Sequence, residues 1–189
     1  MLFKLLSPKD HANIWKGQFL PFHRLFLHTH EYMLRTECNY TGPIAWWDEQ
    51  KDADAGAFFQ SDMWNADAFG GNGTESEGFC VLDGAFANYT EHIGPELANT
   101  DYCLKRVWNN TSGVAQLSSE AVAVCTSLEE YGGFNYDGFN YCVYHNPHAW
   151  GHDSVGGTSS NSSQTGIVSL TLPSPSTNCA ICILSLIHI

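Results

Sequence analysis

The most regular hydrophobic pattern in the chain lies between residues 17 and 35. Its large apolar residues recur at steps of three, four and seven positions: Phe22, Leu25, Phe26 and Met33. This spacing places them on one face of a helix. The pattern therefore predicts a helix over residues 17–35 with a buried apolar stripe, and Glu31 is expected to pair with Arg35 one turn later.

Weaker patterns predict two further helices and one long irregular segment. Residues 117–128 carry helix formers among β-branched residues, which favours a helix. Another helix is expected to begin near Pro147. Residues 48–100 are rich in glycine, aspartate and asparagine, so we expect long loops with little regular structure there.

Composition and charge exclude several classes of function. The chain has 189 residues, 43% of them hydrophobic, which suffices for one compact domain. Its formal charge of −12 would repel phosphates, so binding to nucleic acid or to an anionic membrane is disfavoured. The sequence contains no run of roughly 18 apolar residues that could span a bilayer.

Cysteines and glycosylation triplets favour a secreted protein. Five cysteines are widely spaced, which suits disulfides better than a zinc site: Cys38, Cys80, Cys103, Cys125 and Cys142. Six asparagines stand in Asn-x-Ser/Thr triplets: Asn39, Asn72, Asn88, Asn109, Asn110 and Asn161. The first residues are too weakly apolar for a signal peptide. Either a signal lies upstream, which we favour, or the protein is cytosolic with free cysteines.

A sharp change in composition falls near residue 157. Residues 158–189 contain no aspartate, glutamate, lysine or arginine, and their last eleven positions are mostly apolar. Three interpretations stay open: a disordered linker with an apolar end, a glycolipid-anchor signal, or a non-native sequence. We favour the last, and we predict an unrelated segment at 158–189 after a domain at 1–157.

Histidines provide the candidate chemistry. His148 and His152 are four residues apart, so on a helix both imidazoles can reach one metal ion. A zinc protease would need glutamate after the first histidine, and this chain has Ala149 there. The alternative is a pair of surface or helix-capping histidines.

A second candidate lies in the first predicted helix. His23 follows Phe22 on an aromatic face, where it is either a metal ligand or a core histidine. His30, two turns later, is expected to be solvated or to lie behind the ligands. Two histidine groups on separate helices suggest two metal centres, and ligation by nitrogen alone favours copper among redox metals.

Several segments carry a family resemblance in the right order. Residues 19–31 are FLPFHRLFLHTHE, residues 69–73 are FGGNG, and residues 146–157 are NPHAWGHDSVGG. Over about residues 10–157 the chain resembles the copper-binding domain of fungal tyrosinases, which are type-3 copper phenol oxidases. The resemblance implies a mainly α fold, with a partial four-helix-bundle di-copper core and long irregular loops.

The resemblance also implies an activity and a ligand set. In that family two copper ions, each held by three histidines, use dioxygen to oxidise o-diphenols, and in some members monophenols, to o-quinones. It assigns His23 to the first copper and His148 with His152 to the second. A small phenol and dioxygen are the implied partners.

Three departures from the family pattern weaken the implied activity. Ile14 stands where the family has another first-copper histidine, with His11 as a weaker substitute. A third first-copper histidine would precede Met1, and the expected His-His-x-x-x-Asp helix does not follow Gly157. We therefore expect an incomplete, catalytically impaired fragment. The alternatives are a non-catalytic oxygen-binding relative and a secreted glycoprotein with structural histidines.

Overall fold

The computed structural model describes residues 18–44, 46–92, 100–109, 112–127 and 136–157. Its helices are α1 (Phe19–Glu37), α2 (Glu49–Asp54), α3 (Ser119–Thr126), α4 (Tyr136–Val143) and α5 (Ala149–Val155). Four short 3-10 helices cover Phe58–Gln60, Asp62–Trp64, Glu75–Glu77 and Ser112–Leu117. Strands β1 (Thr90–Glu91) and β2 (Tyr102–Cys103) pair antiparallel. The described residues are thus mainly helical, as predicted.

Helix α1 agrees with the predicted bounds to within two residues at each end. The expected ion pair is present, because Nη2 of Arg35 lies 2.6 Å from Oε1 of Glu31. The predicted buried stripe is wrong in part: Phe22 is 38% and Leu25 is 56% exposed, whereas Phe19 and His30 are buried. In the described part of the chain, the buried apolar clusters include residues from the first turn of α1 and from no later turn of that helix.

The helix expected near Pro147 begins earlier than predicted, with α4 at Tyr136. A π-helical turn, Tyr144–His148, joins α4 directly to α5 and contains Pro147. Proline lacks an N–H and cannot complete the α-helical ladder, so a wider turn accommodates it inside a continuous helical segment. The proline therefore marks an irregular turn in this segment and not its start.

An aromatic core holds α5 in place. Phe58, Trp64, Leu117 and Val155 form a buried cluster, with Trp47, Trp108 and Trp150 packed against it. Nε1 of Trp64 donates to the Phe58 carbonyl at 2.8 Å, so this buried indole is satisfied. A Cβ at Gly113 would collide with the Trp150 ring, which lets α5 pack closely on the Ser112–Leu117 turn.

A buried arginine organises the glycine-rich loop of the FGGNG segment. Nη1 of Arg106 donates to the carbonyls of Gly70 at 2.5 Å and Gly71 at 2.8 Å, and its guanidinium lies 4.8 Å from the Trp64 ring centre. Burial lowers the pKa of Arg106 to about 10, partly opposed by Asp83. Arg106 therefore ties this loop to the aromatic core.

Two disulfides confirm part of the cysteine expectation. Cys80 bonds Cys103 of β2, and Cys125 of α3 bonds Cys142 of α4. Among the residues described, no helix combines the length and apolar character needed to cross a bilayer. Residues 158–189 lie outside the described residues, so the division at residue 157 stays a prediction.

Candidate metal centre

Phe19 brings together two histidines that are far apart in the sequence. Its side chain is completely buried, and its ring centre lies 4.2 Å from that of His23 and 4.6 Å from that of His148. The two imidazoles are themselves 5.1 Å apart, nearly edge to face. The first turn of α1 thus lies directly against the end of the π-helical turn.

The second pair of predicted ligands lies on one side of a helical segment. The ring centres of His148 and His152 are 4.5 Å apart, as expected for residues one helical turn apart. His152 lies in α5, and its Nδ1 atom is buried. The structure therefore brings His23, His148 and His152 into one continuous group of rings.

A hydrogen bond determines which nitrogen of His23 is protonated. Nδ1 lies 2.7 Å from the carbonyl oxygen of Phe19, which can only accept, so Nδ1 carries the proton and Nε2 the lone pair. Burial lowers the pKa of His23, although the bond to Phe19 raises it. The neutral, Nε2-basic imidazole that results is the form that binds metal ions.

Apolar and aromatic groups surround the three rings. Tyr144 lies 5.1 Å from Phe19 and 5.7 Å from His148 between ring centres, and burial raises the pKa of its phenol. The Cys125–Cys142 disulfide packs in the same buried cluster as Phe19. These neighbours limit access of water and hold both helices at a fixed separation.

Asn109 holds α5 from the opposite end of the segment. Its Nδ2 donates to Oδ2 of Asp153 at 2.8 Å, and its backbone N–H donates to the Ser154 carbonyl at 3.0 Å. Gly156 ends α5 at a φ of +65°, where a Cβ would collide with the Val107 carbonyl. A positive φ and this close approach require glycine. Both contacts fix the helix that carries His152.

Sequence analysis missed Phe19 and Asn109 as supporting residues. Phe19 precedes His23 by four positions, and this one-turn spacing was an available signal. Asn109 appeared only as a glycosylation triplet, because its contact with Asp153 joins segments distant in sequence. Of the two roles expected for His30, the solvated one is wrong, because the side chain is 7% exposed and burial lowers its pKa. A position behind the ligands stays a prediction.

The remaining histidines do not join this group in the described residues. His28 is exposed, His92 lies 2.6 Å from Asp101, and the His145 ring is 4.1 Å from that of Tyr141. His11 lies outside the described residues. Within the described part of the chain, no three potential ligand side chains lie close enough together to hold one metal ion.

The donor set fits copper. The three half-buried imidazoles, grouped without a carboxylate, are suited to copper among redox metals. The tautomer of His23 is fixed by a backbone carbonyl, the arrangement that orients a metal-binding histidine. The role of these three histidines as copper ligands stays a prediction.

Comparisons with known proteins agree with the motifs. The family described as "Common central domain of tyrosinase" matches residues 8–166. A tyrosinase-like protein, phomQ1', of Diaporthe leptostromiformis is 37% identical over 83 residues, 40% of this chain and 21% of the relative. Tyrosinase ustQ of Aspergillus flavus is 34% identical over 114 residues, 55% of this chain and 30% of the relative.

The matched parts span about a fifth to a third of these curated relatives. The family match, in contrast, covers most of the chain and includes His23, His148 and His152. With the helical fold and the grouped histidines already established, this match decides the classification. The chain belongs to the tyrosinase family, whose members are type-3 copper oxidoreductases.

Proposed function

We propose that this chain contributes to a two-copper site that oxidises o-diphenols to o-quinones with dioxygen. The observation that carries the proposal is the contact between His23 and His148, whose ring centres are 5.1 Å apart. Two helices from distant parts of the sequence present imidazoles to one another there. Imidazoles that face one another from two helices support a pair of neighbouring copper ions at this place.

Bound copper would supply the electron transfer by which two catechols reduce one dioxygen to two waters, yielding two o-quinones. His23 would bind the first ion through Nε2, since its Nδ1–H is held by Phe19. His148 and His152 would bind the second ion from adjacent turns. Phe19 and Tyr144 would exclude water and hold the two halves together.

We further propose that the 189 residues alone are impaired. Ile14 occupies a family histidine position, and the three histidines brought together are half of the six that the family uses. An ion with one or two imidazoles remains open to water and is held weakly. Oxidation of monophenols is less favoured still, because Ala149 follows the first histidine of the second site, where family members that hydroxylate monophenols often have asparagine.

Copper titration combined with catechol oxidation tests this proposal. The chain is expected to bind copper and to form o-quinone slowly, and His23→Ala, His148→Ala and His152→Ala should each weaken copper binding at least tenfold. His92→Ala is the matched control, because that imidazole is half-exposed and pairs with Asp101 away from the group.

Three outcomes would contradict the proposal in different ways. Rapid quinone formation would refute impairment. Reversible oxygen binding without oxidation of catechol would favour the oxygen-binding relative. Equal copper affinity in the variants and the unsubstituted chain would favour a glycoprotein whose histidines are structural.

We also propose that the protein is secreted. Two disulfides join Cys80 with Cys103 and Cys125 with Cys142, and such bonds persist in oxidising compartments. Fractionation of the source organism should recover the protein outside the cell. Recovery from the cytosol with four free thiols at these positions would contradict this location.

A further inference from the structure

Two glycosylation triplets share both their sequence and their backbone geometry. Residues 39–41 and 88–90 are both Asn-Tyr-Thr. The asparagines have φ values of +52° at Asn39 and +58° at Asn88, and both side chains are exposed. Among the described residues, Phe79 is the other non-glycine residue with a positive φ. The two asparagines therefore share one exposed, left-handed backbone conformation, and Thr90 of the second triplet begins β1.

We propose that Asn39 and Asn88 carry N-linked glycans, whereas Asn109 stays unmodified because α5 occupies its side chain. The proposal rests on the secretory location proposed above. In the reaction, Nδ2 forms a bond to the anomeric carbon of N-acetylglucosamine. The bond from that carbon to a lipid-linked pyrophosphate breaks, and the amide loses one proton while the pyrophosphate leaves with the electron pair.

The left-handed backbone alone does not explain these triplets. Asparagine tolerates a positive φ better than most residues, so the turn geometry accounts for the asparagine. It does not account for the hydroxyl two positions later. Thr90 lies in β1, where a β-branched residue is favoured, but in the described part of the chain neither the Thr41 nor the Thr90 hydroxyl makes a hydrogen bond. Both threonines are exposed, as recognition of a triplet requires.

The two turns present their amides from a well-held backbone. Nη1 and Nη2 of Arg35 donate to the carbonyls of Tyr40 and Gly42, each at 3.3 Å. The backbone N–H of Asn88 donates to the Val81 carbonyl at 3.1 Å. In the described part of the chain, no hydrogen bond holds the side-chain amide of either asparagine. Each amide can therefore take a glycan without breaking a contact of the fold.

Asn109 differs in its exposure and in the contact of its side-chain amide. It is half-buried, and its Nδ2 donates to Oδ2 of Asp153 at 2.8 Å. A glycan on Nδ2 would have to fit between Asn109 and the helix that carries His152. Asn72 is an intermediate case outside the proposal, because it is exposed but its Oδ1 accepts from the Trp108 N–H at 2.9 Å. Asn110 and Asn161 lie outside the described residues.

The test uses the full chain secreted from a eukaryotic host behind a cleavable signal. Release of glycans by peptide N-glycosidase in heavy-oxygen water converts each modified asparagine to labelled aspartate, which peptide mass spectrometry locates. We expect label at Asn39 and Asn88 and none at Asn109. Thr41→Ala and Thr90→Ala should each remove one glycan while leaving the turn asparagine in place, which separates glycan loss from backbone strain.

Absence of label at Asn39 or Asn88 in the folded, secreted chain would overturn the proposal. Label at Asn109 in the majority of the secreted molecules would also overturn the proposal. Because the added signal delivers the chain to the glycosylation machinery, these results are independent of the native location. The proposed location is tested separately, by fractionation of the source organism, where recovery from the cytosol would contradict it.

Discussion

The carbonyl oxygen of Phe19 lies 2.7 Å from Nδ1 of His23, while the ring of the same phenylalanine packs against both His23 and His148. One residue thus acts through both its backbone and its side chain. The carbonyl orients one imidazole, and the buried ring sets the distance to the other. Phe19 is a positioning residue for both halves of the proposed site.

Truncating Phe19 should therefore affect both stability and copper binding. Phe19→Ala leaves a cavity under both imidazoles and is expected to cost about 3–5 kcal/mol of unfolding free energy. Phe19→Leu keeps most of the volume, so it should cost less and restore copper affinity. Denaturant unfolding and copper titration measure the two effects. If the leucine variant binds copper as weakly as the alanine variant, volume is not what Phe19 supplies.

Removing the Cys125–Cys142 disulfide should affect the site beyond its effect on stability. The bond spans 17 residues, so the Cys125→Ala/Cys142→Ala variant should lose about 3 kcal/mol. It packs with Phe19, so copper affinity should fall as well. The Cys80–Cys103 bond, spanning 23 residues, is the matched control. Removing the Cys80–Cys103 bond should lower the unfolding free energy by a similar amount and leave copper affinity unchanged. If both variants lose the same copper affinity, the Cys125–Cys142 bond has no specific effect on the site.

The contact between Asn109 and Asp153 should help to hold the second histidine pair. Asp153→Ala leaves the half-buried Nδ2 of Asn109 without its acceptor, at a cost of about 1–3 kcal/mol. Asp153→Asn retains an acceptor oxygen and should recover most of that loss. Copper affinity should likewise fall more in Asp153→Ala than in Asp153→Asn. Both titrations are made below the melting temperatures of the two variants. Unchanged copper affinity in Asp153→Ala would show that α5 is fixed without this bond.

Glu49 should make stability fall as pH rises. Burial raises its pKa from 4.5 to about 7, and in the described part of the chain its Oε2 is buried without a hydrogen-bond partner. The folded state therefore holds the proton more tightly than the unfolded state. Its contribution is complete below about pH 4.5 and is lost as pH rises through 7, by at most about 3 kcal/mol.

Unfolding free energies at pH 5 and pH 8 check the role of Glu49. Glu49→Gln keeps the size of the side chain and removes the titration, so the difference between the two pH values should shrink. If the unfolding free energy of Glu49→Gln depends on pH as that of the unsubstituted chain does, groups other than Glu49 cause the dependence.

Local patterns predicted the first helix and the one-turn relation between His148 and His152 well, whereas the contact of His23 with His148 does not follow from any local pattern. Helix α1 follows from local periodicity, and the spacing of His148 and His152 follows from helix geometry. The exposure of Leu25 was not predictable in the same way, because periodicity indicates a face but not what covers it. Likewise Arg106 and Asn109 act through contacts with Gly70 and Asp153, which are distant in sequence.

The wide turn at Tyr144–His148 has a consequence for deletions. A π turn holds about one more residue than an α turn, and each residue of an α-helix advances the chain by about 100° around the axis. Deleting Asn146 would remove that extra residue, so an ordinary α turn could replace the wide one and His148 and His152 would keep their phase relative to α4. Deleting Ala149 from the regular helix α5 removes a residue where no turn holds a spare one, so it would instead rotate His152 by about 100° away from His148.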